Sequence, residues 1–347
     1  MEKYPPRWFV RISEQLRYFF FRMHRRFTHP RVVLWEHVHH MWVAAGIGVA
    51  AEMGIAELLR GGPKKVEDLA RETRSDTESL YRVLRMLASQ GIFREGKERV
   101  FFNTSLSSPL QEDGIRYLFR AHLSPGHFEL FGRLRESVLS GKPVRGNENG
   151  RELFDQIGRD EARSRRFNQA MSDVSRMQVP TLLPAFPFCR YSVIADIGGG
   201  QGFLLSAILE ACPRSRGILF DLPGVTEGEA DGVVSPEVES RISRISGDFF
   251  KEIPGGADLY LLKNVLHDWD DADSLKILAN IRRVMSDGAR LLIIESVLEE
   301  GNRPSFGKMT DVLMMVSAGG LERTRKQWEA LMARHRYEPP ALPPLRH

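Results

Sequence analysis

The stretch ADIGGGQGF, residues 195–203, places alternate glycines directly after a short apolar run. Asp196, Gly198, Gly200 and Gly202 form a D-x-G-x-G-x-G pattern. Glycines after a strand let the chain turn sharply and bring backbone amides close to a ligand at the start of a helix. The dinucleotide pattern G-x-G-x-x-G is not met, because residue 203 is phenylalanine. The stretch therefore predicts an α/β domain with a ligand-binding turn after its first strand.

The segments around this stretch predict a doubly wound sheet. The runs SVIADIGGG, RGILFDLP, ADLYLLKN and ARLLIIES are short and β-type, and they are separated by segments of helical periodicity. Such alternation is typical of a mostly parallel sheet with helices on both faces. We expect this Rossmann-like domain to span residues 188–347.

Acidic residues follow two further predicted strands of this domain. Asp221 ends the second strand, nineteen residues after Gly202, and Asp248 and Phe249 follow the third. A carboxylate at the tip of the second strand can accept hydrogen bonds from both hydroxyls of a ribose. For Asp221 alone, an aspartate that caps a surface turn is the simpler alternative. Because a glycine turn, a ribose acid and an adenine-binding pair occur in this order, the set predicts a nucleoside-containing cofactor.

The residues before the sheet divide into three predicted segments. Residues 1–30 form a basic amphipathic arm, residues 31–110 a winged-helix unit, and residues 111–187 a helical segment. The winged-helix prediction rests on a short helix, a turn, a longer helix and two short strands joined by a charged turn. The longer helix has only Arg82 and Arg85 as cations, which favours packing or dimerisation over DNA binding. The predicted fold class is α/β, with a Rossmann-like domain preceded by a mainly α-helical winged-helix dimerisation domain.

Positive charge is concentrated in the arm. Eight Lys and Arg against two Glu in residues 1–31 give +6, so the remainder carries −2 of the chain's net +4. A body of this charge is not typical of a nucleic-acid-binding protein. Apolar residues of the arm recur at helical spacing opposite the arginines. Such a helix can lie on an anionic membrane or pack on a partner subunit, and both alternatives stay open.

Composition and cysteine content bear on the compartment. Hydrophobic residues make up 42% and charged residues 27%, as in globular proteins. No apolar run approaches a membrane span, and no signal peptide is evident. Cys189 and Cys212 are too few for a disulfide framework and have no metal-type spacing. We therefore expect a reducing, cytoplasmic location, with peripheral membrane contact through the arm as an alternative.

The stretch KNVLHDWDD, residues 263–271, is a dense cluster of titratable side chains. His267 can act as a base or join Asp268, Asp270 and Asp271 around a metal ion, and the aspartates can instead begin the next helix. If a helix begins within this stretch, Asp268 cannot easily share a face with the other ligands, which disfavours a metal. We expect a base followed by a helix start, and no metal site.

Four further stretches, FDLPGV, GDFF, LLKNVLHDWDD and GGLERT, follow the glycine turn in series. With them the chain resembles class I S-adenosylmethionine (SAM)-dependent O-methyltransferases, in the group that includes plant caffeate and flavonoid enzymes, the animal hydroxyindole enzyme, and bacterial antibiotic and carotenoid enzymes. The resemblance covers roughly residues 35–335, and the HDW and GG-x-ERT motifs are specific to this group. It implies SAM as cofactor, a homodimer, and methyl transfer to a hydroxyl of a small aromatic, polyketide or isoprenoid metabolite.

The resemblance also implies roles for individual residues. His267 matches the general base, and we take Glu295 as its orienting partner and Glu322 as a second polar wall. The cofactor positions are matched by Asp196, Gly198, Gly200, Asp221, Asp248, Phe249 and Lys263. The acceptor-pocket positions are matched by Phe167, Asn168 and Met171, with Met314 and Met315 as further candidates.

The C-terminus departs from the family pattern. Where relatives usually continue with two further strands, this chain has RHRYEPPALPPLRH, whose prolines cannot all donate in a sheet. We expect the last strand to be missing or replaced. A SAM-binding protein that no longer methylates, serving as a regulatory or partner subunit, is therefore the alternative function, and a winged-helix DNA binder is a weaker third.

Overall fold

The computed structural model describes residues 7–144, 151–226 and 235–334. Within them the chain forms two compact units, one up to Ser124 and one from Pro125. None of the described helices has the length and apolar character that crossing a membrane requires. The start of the predicted arm, residues 1–6, and the proline-rich segment after residue 334 lie outside the described residues.

The first unit is built mainly of helices, with a small three-stranded sheet. Its helices are α1 (Arg7–Phe27), α2 (Pro30–Glu52), α3 (Ile55–Leu58), α4 (Val66–Thr73), α5 (Thr77–Ser89) and α6 (Arg116–His122). Its strands are β1 (Lys64–Lys65), β2 (Phe93–Glu95) and β3 (Val100–Asn103). Strand β3 lies between β1 and β2 and is antiparallel to both. The order α4, α5, β2, β3 is the winged-helix arrangement that the sequence predicts.

Capping and close packing explain two helices of this unit. Helix α5 begins after Asp76, whose side chain accepts a hydrogen bond from the Ser79 amide, and it buries a leucine face. Helix α2 packs on α5 so closely that a Cβ at Gly46 would lie 2.6 Å from Met86 Cε. The small residues of α2 are therefore explained by helix packing.

The second unit contains the predicted Rossmann-like sheet. Its strands are β4 (Val193–Ile197), β5 (Arg216–Asp221), β6 (Ile242–Ser246), β7 (Leu259–Lys263) and β8 (Arg290–Ile294). They are parallel and lie in the order β6-β5-β4-β7-β8. The order reverses beside β4, and at such a point the carboxyl ends of the strands border a crevice that binds ligands.

Helices cover both faces of this sheet, and the unit has ten helices among the described residues. They are α7 (Pro125–Gly132), α8 (Leu134–Ser140), α9 (Arg151–Arg159), α10 (Glu161–Leu182), α11 (Phe203–Ala211), α12 (Pro223–Thr226), α13 (Pro236–Glu239), α14 (Asp271–Val284), α15 (Phe306–Ser317) and α16 (Arg325–Ala333). Two short strands, β9 (Val297–Leu298) and β10 (Arg323–Thr324), form a separate parallel pair. Successive residues of β4 face opposite sides: Ile194 packs in a cluster with Leu205 of α11, and Ala195 in one with Ile277 of α14. Helix α11 thus covers one face and α14 the other. Burial on both faces is why the central strands β4 and β7 are nearly continuous apolar runs, whereas the edge strand β6 is not.

Cys189 and Cys212 form a disulfide, with their Cα atoms 5.0 Å apart. Cys189 precedes β4 and Cys212 follows α11, so the bond closes a segment that contains β4, the glycine turn and α11. Because both cysteines are bonded, they no longer support the expectation of a reducing compartment.

Candidate active site

The glycine turn between β4 and α11 has the backbone conformation that its composition predicts. Gly198, Gly200 and Gly202 have φ angles of 70°, 60° and 88°, in the left-handed region that favours glycine. A Cβ at Gly198 would lie 2.8 Å from the Val265 side chain, whereas a Cβ at Gly200 would meet no atom within 4 Å. The turn is thus packed at Gly198 and open at Gly200, where a ligand can approach.

Asp221, at the end of β5, lies against this turn. Its Oδ2 accepts a hydrogen bond from the Gly200 amide at 2.8 Å, and its Oδ1 accepts one from the Leu222 amide at 2.7 Å. Burial raises the pKa of Asp221, and the two amide hydrogen bonds offset this only in part. The structure therefore brings the predicted ribose acid and the glycine turn together.

The predicted adenine-binding pair follows β6. Asp248 Oδ1 accepts a hydrogen bond from the Phe250 amide at 2.9 Å. The Phe249 ring makes an edge contact with Trp269, with centroids 6.0 Å apart, and its carbonyl accepts a hydrogen bond from Asn280 at 2.9 Å. Trp269 of the HDW motif therefore lies beside the predicted cofactor residues.

Asp196 and Lys263 interact electrostatically near the carboxyl ends of β4 and β7. Burial raises the pKa of Asp196 to about 7, although the Lys263 ammonium acts to lower it. Burial lowers the pKa of Lys263, while the charges of Asp196 and Glu295 act to raise it. The Lys263 ammonium thus interacts electrostatically with Asp196, just before the glycine turn, and with Glu295, the residue after β8.

His267, Glu295 and Glu322 lie together although they are distant in sequence. His267 Nδ1 donates a hydrogen bond to Glu322 Oε1 at 3.0 Å, and Glu295 Oε2 lies 3.5 Å from the same nitrogen. The imidazole side chain is 13% exposed, against 2% for Glu295 and 1% for Glu322. The carboxylate closest to Nδ1 is therefore that of Glu322, whereas the sequence interpretation took Glu295 as the orienting partner.

The surrounding carboxylates control the charge of this imidazole. Burial by itself lowers the pKa of His267, but the charges of Glu295 and Asp268 and the hydrogen bond to Glu322 together raise it to about 10. Burial also raises the pKa of Asp268 to about 6 and raises that of Glu295. With no acceptor bound, His267 is therefore an imidazolium at neutral pH.

Main-chain hydrogen bonds hold both glutamates in position. Glu295 Oε1 accepts from the amides of Val265 at 2.9 Å and Leu266 at 2.8 Å, and the Glu322 amide donates to Asp311 Oδ1 of α15 at 2.9 Å. The second oxygens, Glu295 Oε2 and Glu322 Oε2, are buried and have no hydrogen-bond partner among the described residues. Each glutamate therefore has a fixed place and one unsatisfied oxygen.

Gly320 packs directly on the backbone of His267. The neighbouring Leu321 amide donates a hydrogen bond to the His267 carbonyl at 2.9 Å. A Cβ at Gly320 would lie 2.0 Å from that carbonyl oxygen and 2.5 Å from the Asp268 carbonyl carbon. The second glycine of GGLERT is therefore required by close approach, a role that the sequence motif alone did not reveal.

Arg323 is the largest fully buried side chain among the described residues. Its guanidinium donates to the carbonyls of Leu266 and Trp269, each at 2.9 Å, and pairs with Asp271 at the start of α14. The arginine thus fixes the main chain on both sides of His267. Sequence reasoning missed this residue, although its position in GGLERT was the signal that could have found it.

The aspartates of HDWDD divide between two environments. Asp270 caps α14 by accepting a hydrogen bond from the Asp273 amide at 2.8 Å, and Asp271 is the first residue of the helix. Asp268 instead belongs to a 3₁₀ turn, and its Oδ1 lies 3.7 Å from His267 Nε2. The predicted helix start is thus made by Asp270 and Asp271, whereas Asp268 faces the imidazole because the helix begins later than expected.

The atoms that can ligate a metal form a different set from the one considered in the sequence. His267, Glu295 and Glu322 each offer one such atom, and these atoms lie within 4.8 Å of one another. Asp270 and Asp271 are engaged at the start of α14 and do not join them.

Helix α10 carries the predicted acceptor residues Phe167, Asn168 and Met171. The Phe167 ring contacts Phe154 at 6.1 Å between centroids, and Phe154 in turn lies 5.6 Å from the Trp269 ring. Ser172 Oγ donates a hydrogen bond to Gln201 Oε1 in the glycine turn at 3.1 Å. Helix α10 therefore contacts the glycine turn directly and reaches the HDW motif through Phe154 of α9.

The other predicted acceptor residues are partly or fully buried in the same unit. The Asn168 side-chain nitrogen Nδ2 donates a hydrogen bond to Ser164 Oγ at 3.4 Å within α10. Met314 is buried and Met315 partly buried on α15, the helix whose Asp311 holds Glu322. The structure thus places Met314 and Met315 on an element that supports the His267 cluster.

Comparisons with known proteins identify the family of the chain. A model of the O-methyltransferase domain matches residues 131–338, and one of the O-methyltransferase dimerisation domain matches residues 35–113. The phenazine O-methyltransferase of Lysobacter antibioticus is 36% identical over 304 residues, which cover 87% of this chain and 89% of the relative. The mitomycin biosynthesis 6-O-methyltransferase of Streptomyces lavendulae is 36% identical over 296 residues, which cover 84% of each chain.

A solved structure shows the same fold. The crystal structure of human N-acetylserotonin methyltransferase in complex with SAM has a TM-score of 0.81 and 26% identity, and the match covers 90% of this chain and 93% of that one. The predicted fold, enzyme class and resemblance to SAM-dependent O-methyltransferases are therefore confirmed. By sequence and by fold, the chain belongs to the O-methyltransferase family.

Proposed function

We propose that this chain transfers the methyl group of SAM to a hydroxyl of a small aromatic, polyketide or isoprenoid metabolite, with His267 as general base. The observation that carries the proposal is the 3.0 Å hydrogen bond from His267 Nδ1 to Glu322. It assigns the proton to Nδ1 and leaves Nε2 to take a proton from the acceptor. Asp268 makes no hydrogen bond to Nε2, because its Oδ1 lies 3.7 Å from that nitrogen, which is too far.

The residues around the glycine turn suit SAM chemically. Gly200 lies beside open space, Asp221 can accept hydrogen bonds from ribose hydroxyls, and Asp248 with Phe249 can bind the edge and face of an adenine. When bound, SAM supplies an electrophilic methyl group on a sulfonium. The residues that we propose hold it are Asp196, Gly198, Gly200, Asp221, Asp248, Phe249 and Lys263.

Proton balance decides when His267 can act as a base. A phenol with a pKa of about 10 is a poor nucleophile at neutral pH, whereas its phenolate is a good one. Because the pKa of His267 is raised to about 10, the free enzyme must first lose the proton on Nε2. Nε2 can then accept the acceptor's proton, and the neighbouring carboxylates stabilise the imidazolium that forms. With its proton on Nε2, the acceptor oxygen would be held as an anion, the form that can take the methyl group that SAM supplies while S-adenosylhomocysteine leaves.

Two considerations support an aromatic acceptor. The relatives' names point to phenazine and mitomycin chemistry, in which the acceptors are specialised metabolites. Helix α10 also presents Phe167 against Phe154, whose ring in turn packs on Trp269, and aromatic side chains favour edge or tilted contacts with other rings. Phe167, Asn168, Met171 and Met314 are the residues that we propose line the acceptor pocket.

His267→Gln is the most direct test of this mechanism. We expect the variant to bind SAM as the wild type does, by calorimetry, and to lose kcat by roughly 10²–10⁴-fold on the best acceptor from a panel of phenols. His40→Gln, on α2 of the first unit, is the matched control and should keep its activity. Undiminished transfer by His267→Gln would remove His267 from the mechanism. SAM binding without transfer to any acceptor by the wild type would favour the non-methylating alternative.

We further propose that the protein is a homodimer and that α1 contacts an anionic membrane surface. The dimerisation match begins at residue 35, after α1. Helix α1 exposes large apolar side chains, with Trp8 at 64%, Phe20 at 63% and Phe27 at 81%. Its 21 residues span about 31 Å, and Arg17, Arg22 and Arg25 occupy helical positions on the other side from these three rings. A helix of this composition lies in a membrane interface with its aromatic face buried.

Vesicle co-sedimentation of the full chain tests the membrane contact. We expect binding to phosphatidylglycerol vesicles, weaker binding to phosphatidylcholine vesicles, and loss of binding in Trp8→Ser/Phe20→Ser. If the wild type binds neither kind of vesicle and the double variant is monomeric by light scattering, α1 packs on the partner subunit instead.

A further inference from the structure

We propose that His267, Glu295 and Glu322 bind one divalent transition-metal ion, with Zn²⁺ as the best fit, and that this ion inhibits methyl transfer. The site would take the metal as an inhibitor and not as a cofactor. The binding part of the proposal stands on geometry alone, whereas the inhibitory part rests on the proposed role of His267 as base.

The spacing of the three side chains suits a small tetrahedral ion. Zn²⁺ binds nitrogen and oxygen ligands at about 2.0–2.2 Å, so neighbouring ligands of a tetrahedral site lie about 3.3–3.5 Å apart. His267 Nδ1 lies 3.0 Å from Glu322 Oε1 and 3.5 Å from Glu295 Oε2. All three ligand atoms lie within 4.8 Å of one another. Small side-chain rotations therefore suffice to bring the two glutamate oxygens to the same distance from each other.

Two unsatisfied oxygens provide a second and independent observation. Glu295 Oε2 and Glu322 Oε2 are buried and lack hydrogen-bond partners among the described residues, although their side chains are only 2% and 1% exposed. A buried carboxylate oxygen without a partner carries a desolvation penalty. A cation held by Glu295 Oε2 and Glu322 Oε1 would satisfy the first of these oxygens directly, and its charge would stabilise the whole Glu322 carboxylate.

The donor set favours zinc over magnesium or calcium. One imidazole nitrogen and two carboxylates give three protein ligands, which leaves a fourth tetrahedral position for water or an acceptor oxygen. Mg²⁺ requires octahedral oxygen coordination, and Ca²⁺ takes six to eight oxygens. Neither requirement is met by a set that contains an imidazole and so few oxygens, whereas imidazole suits zinc and similar metals.

Supporting hydrogen bonds already orient the proposed ligands. Glu295 is held by the amides of Val265 and Leu266, and the backbone of Glu322 is held by Asp311. Outer contacts of this kind position the ligands of metal sites and strengthen binding. The side chains therefore need little rearrangement to receive the ion.

Binding at Nδ1 would interfere with the proposed base. The ion would replace the proton on Nδ1, which would be released to solvent, and its positive charge would reduce the basicity of the imidazole at Nε2. It would also neutralise the two carboxylates that stabilise the imidazolium. Zn²⁺ is therefore expected to lower kcat without blocking the glycine turn.

Direct titration of the full-length, chelator-treated protein with Zn²⁺ tests the site without any substrate. We expect calorimetry to show one high-affinity ion per chain, and Glu295→Gln and Glu322→Gln each to weaken its binding at least tenfold. Each variant's affinity for SAM checks that it has folded. The matched control replaces His37, His39 and His40 of α2 by Gln, because these histidines are the chain's other dense imidazole group.

The outcomes separate the proposal from its alternatives. Unchanged zinc affinity in both glutamate variants, or loss of the ion in the α2 control, would overturn the site. A ten-fold excess of Mg²⁺ that displaced the zinc would overturn the assignment of the metal class. Zinc that binds at the glutamates but leaves kcat unchanged would refute the inhibitory part, and the separate His267→Gln measurement shows whether the proposed base has failed as well.

Discussion

Replacing Gly320 by alanine tests how closely two segments of the active site must approach each other. The added Cβ would lie 2.0 Å from the His267 carbonyl oxygen, and Cβ atoms in proteins essentially never come within 3.0 Å of another atom. The backbones of residues 320 and 267 must therefore move apart by at least 1 Å. Gly320 is not among the glycines with a positive φ, so the substitution adds a collision without a conformational penalty.

The displacement falls on the contacts that orient the imidazole. The Leu321–His267 hydrogen bond, now 2.9 Å, and the His267–Glu322 hydrogen bond, now 3.0 Å, would both stretch to about 4 Å and be lost. A misplacement of about 1 Å in a catalytic group costs about 10²-fold in rate. The lost hydrogen bonds add about 1–3 kcal/mol of destabilisation. We expect kcat to fall about a hundredfold while the protein remains folded.

Steady-state kinetics at saturating SAM, together with urea unfolding, measure both effects. Gly158→Ala in α9 is the matched control, because a Cβ there meets no atom within 4 Å. Because Gly158 lies in the last turn of α9, this change should leave kcat unaltered and raise stability by a few tenths of a kcal/mol at most. If Gly320→Ala retains kcat within twofold and unfolds like the wild type, the packing of GGLERT on His267 is wrong.

Three further predictions follow from the same unit. Methyl transfer should rise with pH, because only the deprotonated form of His267, with its pKa raised to about 10, accepts a proton. Glu322→Gln removes a negative charge and should move the rising limb of the kcat/KM profile about 1–3 pH units lower. A limb that does not move would show that a group other than His267 controls it. Arg323→Leu removes the two charged hydrogen bonds to the Leu266 and Trp269 carbonyls, which keep only longer bonds such as those from Ser274 Oγ at 3.3 and 3.4 Å. It should lower the free energy of unfolding by about 2–6 kcal/mol in urea, and a loss below 1 kcal/mol would contradict its bonding role. Cys212→Ala removes the disulfide between residues 23 apart and should lower the free energy of unfolding by about 3 kcal/mol, and Cys189→Ala should give the same loss. If reductant leaves the stability of the wild type unchanged, the bond is absent in solution.

The strands and the glycine turn were predictable because their signals are local. Strands β4, β5, β7 and β8 are apolar runs, and polar residues or glycines follow each run directly in the sequence. In ADIGGGQGF, glycine stands at the positions that have a positive φ. The parallel order then follows from the alternation of strands and helices. Asp221 lies beside Gly200 for the same reason, since the carboxyl ends of neighbouring parallel strands meet.

The arrangement around His267 was predictable only in part. Motif resemblance supplied Glu295 and Glu322, but a motif does not reveal which carboxylate is closer to Nδ1 or that each keeps an unsatisfied oxygen. The placement of Asp268 depends on where α14 begins, and helix boundaries vary by a residue or two in sequence interpretation.

Two other features depend on tertiary contacts that spacing does not encode. Gly320 touches a backbone 53 positions away in the sequence. The disulfide joins Cys189 to Cys212 only because β4 and α11 return the chain to its starting point. Neither approach can be inferred from residue types alone.

The hydrogen bond between Ser172 and Gln201 has a thermodynamic consequence for the whole enzyme. It joins the helix proposed to contact the acceptor to the turn proposed to contact the methyl donor. Such a connection can link the binding of two ligands energetically, and any such linkage is reciprocal. Whatever factor the donor imposes on the acceptor's dissociation constant, the acceptor imposes on the donor's. A measurement of either affinity in the presence of the other therefore reports the coupling free energy of the pair.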